Sequence, residues 1–111
     1  MQIVRTGLYL RQMKRLGASS TDMGRLEAEI AVNPQAGGVI PGLMGLRKIR
    51  FALGNKGNKG KRGGGRAVYF LMVSDDVAVM IFAYAKSAQE DLTMEQRKAA
   101  LALLKEMTDG R

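Results

Sequence analysis

The chain has 111 residues, and among them are no cysteine, no histidine and no tryptophan. Without thiolates or imidazoles, the usual structural and catalytic zinc sites are excluded. Cysteine nucleophiles and every triad built on histidine go with them. The side chain that ordinarily titrates near neutrality is missing too. Acid–base chemistry therefore falls to lysine, arginine, tyrosine, hydroxyls or carboxylates. The lack of cysteine fits a reducing, cytoplasmic setting. Aromatic residues make up only 5% of the chain, so stacking on nucleobases rests on a few Tyr and Phe side chains. Long apolar runs are absent as well. The longest, Val77 to Ala85, has nine residues, whereas a membrane-spanning helix needs about 20. The opening residues MQIVRTGLYLRQMKRLG carry scattered basic side chains and no apolar h-region, so no secretory signal is expected. These absences lead us to expect a soluble protein with no membrane partner.

A further absence is local. Between Glu29 and Asp75 there is no acidic residue, while the same interval holds Arg47, Lys48, Arg50, Lys56, Lys59, Lys61, Arg62 and Arg66. The whole chain has 18 Lys and Arg against 10 Asp and Glu. Setting those eight aside leaves ten of each sign. The net charge of +8 thus resides in one segment, which points to a polyanionic partner, RNA or DNA being the usual one.

What is present suffices for a folded body. Hydrophobic residues make up 46%, and the eight methionines can fill irregular gaps in a core. The length corresponds to one domain, residues 1–111. Residues 2–5 can form a short strand. Leu8, Leu10, Met13 and Leu16 are spaced for a short amphipathic helix that stops at Gly17. Ser19 and Asp22 have the spacing of a capping box, and Met23, Leu26 and Ile30 continue as one buried face up to Asn33-Pro34. The stretch NPQAGGVIPGLMG, residues 33–45, reads as an uncharged loop packed against the body.

Leu46 to Leu53 reads as a strand, with Arg47, Ile49 and Phe51 on one face and Leu46, Lys48 and Arg50 on the other. GNKGNKGKRGGG, residues 54–65, is too glycine-rich for regular structure. Ala67 to Val73 and Val77 to Tyr84 form a hairpin around Ser74-Asp75-Asp76. Thr93 and Gln96 cap a last helix, with Ala100, Leu103, Leu104 and Met107 on its apolar stripe and Gly110 at its end. The expected class is α+β, an antiparallel sheet packed on helices.

Three blocks stand in order: GLMGLRKIR (42–50), KGKRGGGR (59–66) and YAKSAQEDL (84–92). Together they resemble the RelE/ParE superfamily of toxins from type II toxin–antitoxin systems, and within it the HigB-type branch. The resemblance covers roughly residues 33–107. It implies a RelE-like fold, with N-terminal helices and a C-terminal helix on a curved antiparallel sheet. It also implies a ribosome-dependent, cofactor-free mRNA endonuclease that inhibits translation. The implied partners are a cognate antitoxin of the helix-turn-helix type, the ribosome and its mRNA, and operator DNA reached through the antitoxin. Position 70 is Phe and position 87 is Ser, where relatives often have Tyr and Arg.

Metal-free cleavage of RNA proceeds by attack of the neighbouring 2′-OH on the scissile phosphate. It requires removal of that proton, stabilisation of the phosphorane-like charge and protonation of the leaving 5′-oxygen. The resemblance assigns Lys48 to proton transfer, Arg50 and Arg66 to the phosphate, and Lys86 to the end of the last strand. Tyr84 is added to this set because it shares a strand face with Lys86, for stacking or for orienting a proton. Arg47, Lys56, Lys59, Lys61 and Arg62 are expected to hold RNA phosphates. Tyr69 is expected in the core. Glu90-Asp91 is read as a solvated approach to the last helix. Two alternatives stay open: a gyrase-inhibiting toxin of the ParE type, and a non-catalytic rRNA-binding module whose Gly/Lys loop threads RNA.

Overall fold

The structure, a computed structural model, describes residues 1–53 and 64–109. The elements run β1 (Gln2–Arg5), α1 (Gly7–Leu16), α2 (Ser20–Val32), β2 (Gly38–Val39), β3 (Arg47–Phe51), β4 (Gly65–Met72), β5 (Val77–Ala85) and α3 (Met94–Asp109), with a 3-10 turn at Val73–Asp75. They build one five-stranded sheet in the order β1-β5-β4-β3-β2. Strands β2 to β5 form the expected antiparallel sheet. β1 joins it in parallel, with Gln2 to Arg5 beside Val77 to Met80, so the sheet is mixed.

Local chemistry accounts for most of the boundaries. The Thr6 hydroxyl caps α1, accepting from the Tyr9 N–H, and donates to the Met80 carbonyl at 2.8 Å. One side chain thus starts the helix and moors it to β5. Beyond Met80 strand β1 no longer covers β5. There α1 takes over, and the Gln12 side chain accepts from the Ala83 N–H at 2.8 Å, which protects an otherwise open edge. Ser19 and Asp22 form the expected capping box of α2. Thr93 and Gln96 do the same for α3. Gly110, expected to end α3, lies outside the described residues.

The buried face of α1 differs from the expected one. Leu10 is exposed, while Tyr9 and Met13, one turn apart, are buried. Tyr9 succeeds despite its hydroxyl because that group donates to Glu27 at 3.0 Å. Glu27 also receives a fork from Arg5, at 2.9 and 2.8 Å. A carboxylate at the edge of the core is tolerable only with such a set of donors.

Two cores lie on the two faces of the sheet. On one, Tyr9, Met13, Met23, Leu26 and Ile30 of α1 and α2 meet Ile49, Phe51, Ala67, Tyr69, Ala78, Met80 and Ala83. On the other, Leu92, Ala100 and Leu104 from α3 and its approach meet Leu46, Val68, Val79, Ile81, Phe82 and Tyr84, together with Ile40 and Leu43. The 33–45 stretch does pack against the body through Ile40 and Leu43, but it also contributes β2, two residues paired with Arg47 and Lys48. Tyr69 is fully buried, as expected. Its hydroxyl donates to the Pro34 carbonyl at 2.7 Å and accepts from the Gly37 N–H at 2.9 Å, pinning this stretch to the sheet.

One irregularity shapes β5. Val68 pairs with Phe82 but Tyr69 pairs with Met80, so Ile81 is an extra residue. This is a β-bulge.

Candidate functional site

The site residues are delivered by β3, β4 and β5 on the face that α3 covers. Two glycines open this region. Gly42 and Gly45 have φ of 75° and 90°, a backbone region that residues with a Cβ disfavour, and they turn the chain into β3. Gly65 opposes Phe51 across the β3–β4 ladder. A Cβ there would run into the Phe51 ring, so glycine is what lets β4 begin against β3. The residue after it is Arg66.

Pairing register then assembles a row. Arg50 faces Arg66, and Arg66 faces Tyr84. In the next row Lys48 faces Val68, which faces Phe82. Because Val68, Phe82 and Tyr84 belong to the α3-side core, strand alternation puts Lys48, Arg50 and Arg66 on that face as well. Two like charges directly opposite each other in a ladder repel.

The members of the row differ in access. Arg50 is exposed. Arg66 is only 8% exposed, and one of its guanidinium nitrogens donates to the Gly65 carbonyl at 3.0 Å. Tyr84 is 5% exposed, and its hydroxyl finds no hydrogen-bond partner among the described residues. Burial pushes the Tyr84 phenol above its ordinary pKa. The Asp91 charge adds to this, and Arg66 and Arg97 oppose it. At neutral pH Tyr84 is therefore an O–H donor.

Lys48 is half-buried. Its Nζ lies 3.4 Å from Asp91 Oδ1. The other Asp91 oxygen receives Arg97 of α3 at 3.0 Å, and Oδ1 also accepts the Leu92 N–H at 2.8 Å. The Leu92 amide first, then the charges of Lys48 and Arg97, hold the Asp91 carboxyl below the usual carboxylate range. Glu90 and Asp91 are exposed, as expected of a solvated approach, and Asp91 in addition bridges the sheet to α3. The sequence reading named Asp91 only as part of the approach to the last helix and did not name Arg97. Asp91 did stand in the third quoted block, but its partner Lys48 is 43 positions away and local pattern carries no sign of it. A groove of about 360 Å³ opens beside this bridge, lined by Gly38, Val39, Ile40, Pro41, Lys48, Asp91 and Arg97.

Lys86 is exposed just past the end of β5, and its backbone N–H continues the ladder to the Gly64 carbonyl at 3.0 Å. Arg47 is not brought to this face. It lies on the opposite side with Ile49 and Phe51 and donates to the Gly37 carbonyl at 2.7 Å, so it stands apart from the row of Arg50, Arg66 and Tyr84. Lys56, Lys59, Lys61 and Arg62 lie outside the described residues. Among the described residues no three His, Cys, Asp or Glu side chains come together as a metal-binding group, and no helix is long and apolar enough to cross a membrane.

Comparison with solved structures bears on the fold. No family model matches the chain. A solved structure of the E. coli toxin RelE, a double arginine-to-alanine variant in the free state, matches with a TM-score of 0.53 and 19% sequence identity. The match covers 80% of this chain and 86% of that one. At that identity the likeness is one of architecture. The chain has the RelE-like α+β fold, here with three helices on a five-stranded mixed sheet.

Proposed function

We propose that the chain is the toxin of a type II toxin–antitoxin system of the HigB-type branch, acting in the cytoplasm as a ribosome-dependent, metal-independent mRNA endonuclease. The observation that carries this reading is the Arg50–Arg66–Tyr84 row, with Lys48 beside it, on one face of a RelE-like sheet. The eight basic residues of the 47–66 segment, which holds no acidic residue of its own, support it, because RNA is the polyanion such a segment would hold.

The reaction is an in-line transesterification. The 2′-oxygen loses its proton and bonds to phosphorus, and the bond from phosphorus to the 5′-oxygen breaks. The leaving oxygen takes up a proton, giving a 2′,3′-cyclic phosphate and a 5′-hydroxyl. Arg50, exposed on the row, grips the scissile phosphate. Arg66, buried and fixed against Gly65, is preorganised for the charge that grows on the phosphorane oxygens, where fixed donors act most strongly. Lys48 and Lys86 serve proton transfer and phosphate binding from the two ends of the site. Tyr84, protonated at neutral pH, donates a hydrogen bond rather than acting as a base. Lys56, Lys59, Lys61 and Arg62 hold flanking rRNA or mRNA phosphates. A cognate antitoxin, a helix-turn-helix protein that carries the complex to operator DNA, neutralises the toxin.

Expression without the antitoxin should arrest growth and leave mRNA cut at codons in the ribosomal A site, mapped by primer extension. Lys48→Ala combined with Arg66→Ala should abolish both effects. A double variant that folds, by circular dichroism, and remains fully toxic would overturn the site assignment. Arrest with DNA damage and intact mRNA would instead identify a gyrase-directed toxin.

A further inference from the structure

The Lys48–Asp91–Arg97 bridge is more than the site needs for chemistry and less than the fold needs for stability. Asp91 is half exposed, at 51% of its side chain, and exposed ion pairs contribute little to stability. The Lys48 contact, at 3.4 Å, is long for a charge-assisted hydrogen bond. Two cations from different elements, β3 and α3, nevertheless converge on one carboxylate at the rim of a groove. The buried Tyr84 hydroxyl, which interacts electrostatically with Asp91 and Arg97, stands nearby with a proton to donate and no acceptor among the described residues.

We propose that Lys48 and Arg97 form a second phosphate subsite for single-stranded RNA, and that Asp91 occupies it as an internal anion until a backbone phosphodiester displaces it. The inference rests on the endonuclease reading and deepens it. A phosphodiester carries one negative charge, as the carboxylate does, so the exchange leaves the charge balance of the two cations unchanged. Arginine and lysine in combination are well suited to phosphate. Asp91 can swing into water at small cost because half of it is already there. Lys48 sits two residues along β3 from Arg50, a displacement of about 6.6 Å at the rise of an extended strand. That is comparable to the separation of neighbouring phosphates in an extended polynucleotide. The scissile phosphate on Arg50 and Arg66 and its neighbour on Lys48 and Arg97 then lie in register with the strand. Asp91 consequently sharpens selection: a ligand must offer a phosphate at the correct spacing to remove it.

The test uses the full chain and a short 2′-deoxy-substituted oligonucleotide that cannot be cleaved, with binding read by fluorescence anisotropy. Asp91→Asn keeps the acceptor for the Leu92 N–H and removes only the charge, so the variant folds. It should bind about threefold to tenfold more tightly than the parent, the range expected for freeing one or two charge-assisted contacts. Arg97→Gln should weaken binding by a similar factor. It should also lower the salt dependence by about 0.7 in the logarithmic slope, the value for one single-strand phosphate contact. In the double variant the gain from Asp91→Asn should shrink. Unchanged or weaker binding by Asp91→Asn overturns the proposal. So does inorganic phosphate competing with the carboxylate while oligonucleotide affinity ignores Arg97, which would make the cradle a free-anion site. If the parent arrests growth and cuts mRNA yet both variants bind as it does, only this inference fails. If the parent neither binds the oligonucleotide nor cuts RNA, the endonuclease reading fails with it.

Discussion

The two faces of the sheet each carry a charged network, and the two are built differently. On the α1 and α2 face, Arg5, Glu27 and Tyr9 form a closed set. One carboxylate takes a forked pair of bonds from Arg5, and a third from the Tyr9 phenol at 3.0 Å. Charges cancel, and the Tyr9 phenol is pushed up by its burial and by the Glu27 charge, so it stays a donor. On the α3 face, among the described residues, Lys48, Arg50, Arg66 and Arg97 are gathered with Asp91. Arg50 opposes Arg66, Tyr84 lacks an acceptor among the described residues, and Asp91 is shared between Lys48 and Arg97. A network that serves folding satisfies its own members. A network that serves a ligand leaves charge and hydrogen-bonding capacity in surplus, and the surplus has the sign opposite to that of the ligand.

If that contrast holds, substitutions on the two faces separate activity from stability. The largest effect is expected on the open face. Arg50→Ala should lower mRNA cleavage by about 10²- to 10³-fold, the loss typical for removing one donor to a developing anion. Its unfolding midpoint should hold or rise slightly, because a like-charge pair has been removed. Cleavage on purified ribosomes and urea unfolding measure the two sides, and a variant that loses stability instead would erase the distinction. Next in size is the closed face. Glu27→Ala strands the Tyr9 hydroxyl and unpairs Arg5, which is partly exposed, so about 2–3 kcal/mol of stability should be lost. Cleavage per folded molecule should be unchanged. The smallest effect concerns Asp91. Its folded-state pKa is depressed, so its contribution to stability is present above the ordinary carboxylate pKa, near 4, and is lost as pH falls through the lowered value. Thermal unfolding between pH 5 and pH 2 should show a shallow extra loss in the parent that Asp91→Asn lacks, and identical profiles would mean the bridge is not formed in solution.

Features that depend on neighbours in sequence were the ones legible beforehand. The capping boxes at Ser19 and Thr93 and the β4–β5 hairpin come from residues a few positions apart, and they stand where patterning put them. Strand alternation likewise placed Lys48 and Arg50 on one face and Arg47 on the other. The Gly37 carbonyl that receives Arg47 comes from a stretch ten residues earlier, and local pattern carries no sign of that bond. Tyr9 in place of Leu10 on the buried face of α1 depends on Glu27, 18 residues on. β2 has only two residues, too few to show a period. The Asp91 bridge needs β3 and α3 to meet, which no local pattern encodes.

The extra residue in β5 has a consequence for how one strand can serve both faces. Before Ile81, the even positions Ala78 and Met80 belong to the α1 and α2 core, while Val79 belongs to the other. After it the parity is reversed: Phe82 and Tyr84 look toward α3, and Ala83 looks away. Ile81 acts as a frameshift in a two-letter code. Were Ile81 drawn into the ladder opposite Val68, Ala83 would stand beside Arg66 and Tyr84 would pass to the α1 and α2 side of the sheet. With this sequence, the placement of the phenol among the arginines therefore depends on Ile81 standing outside the ladder.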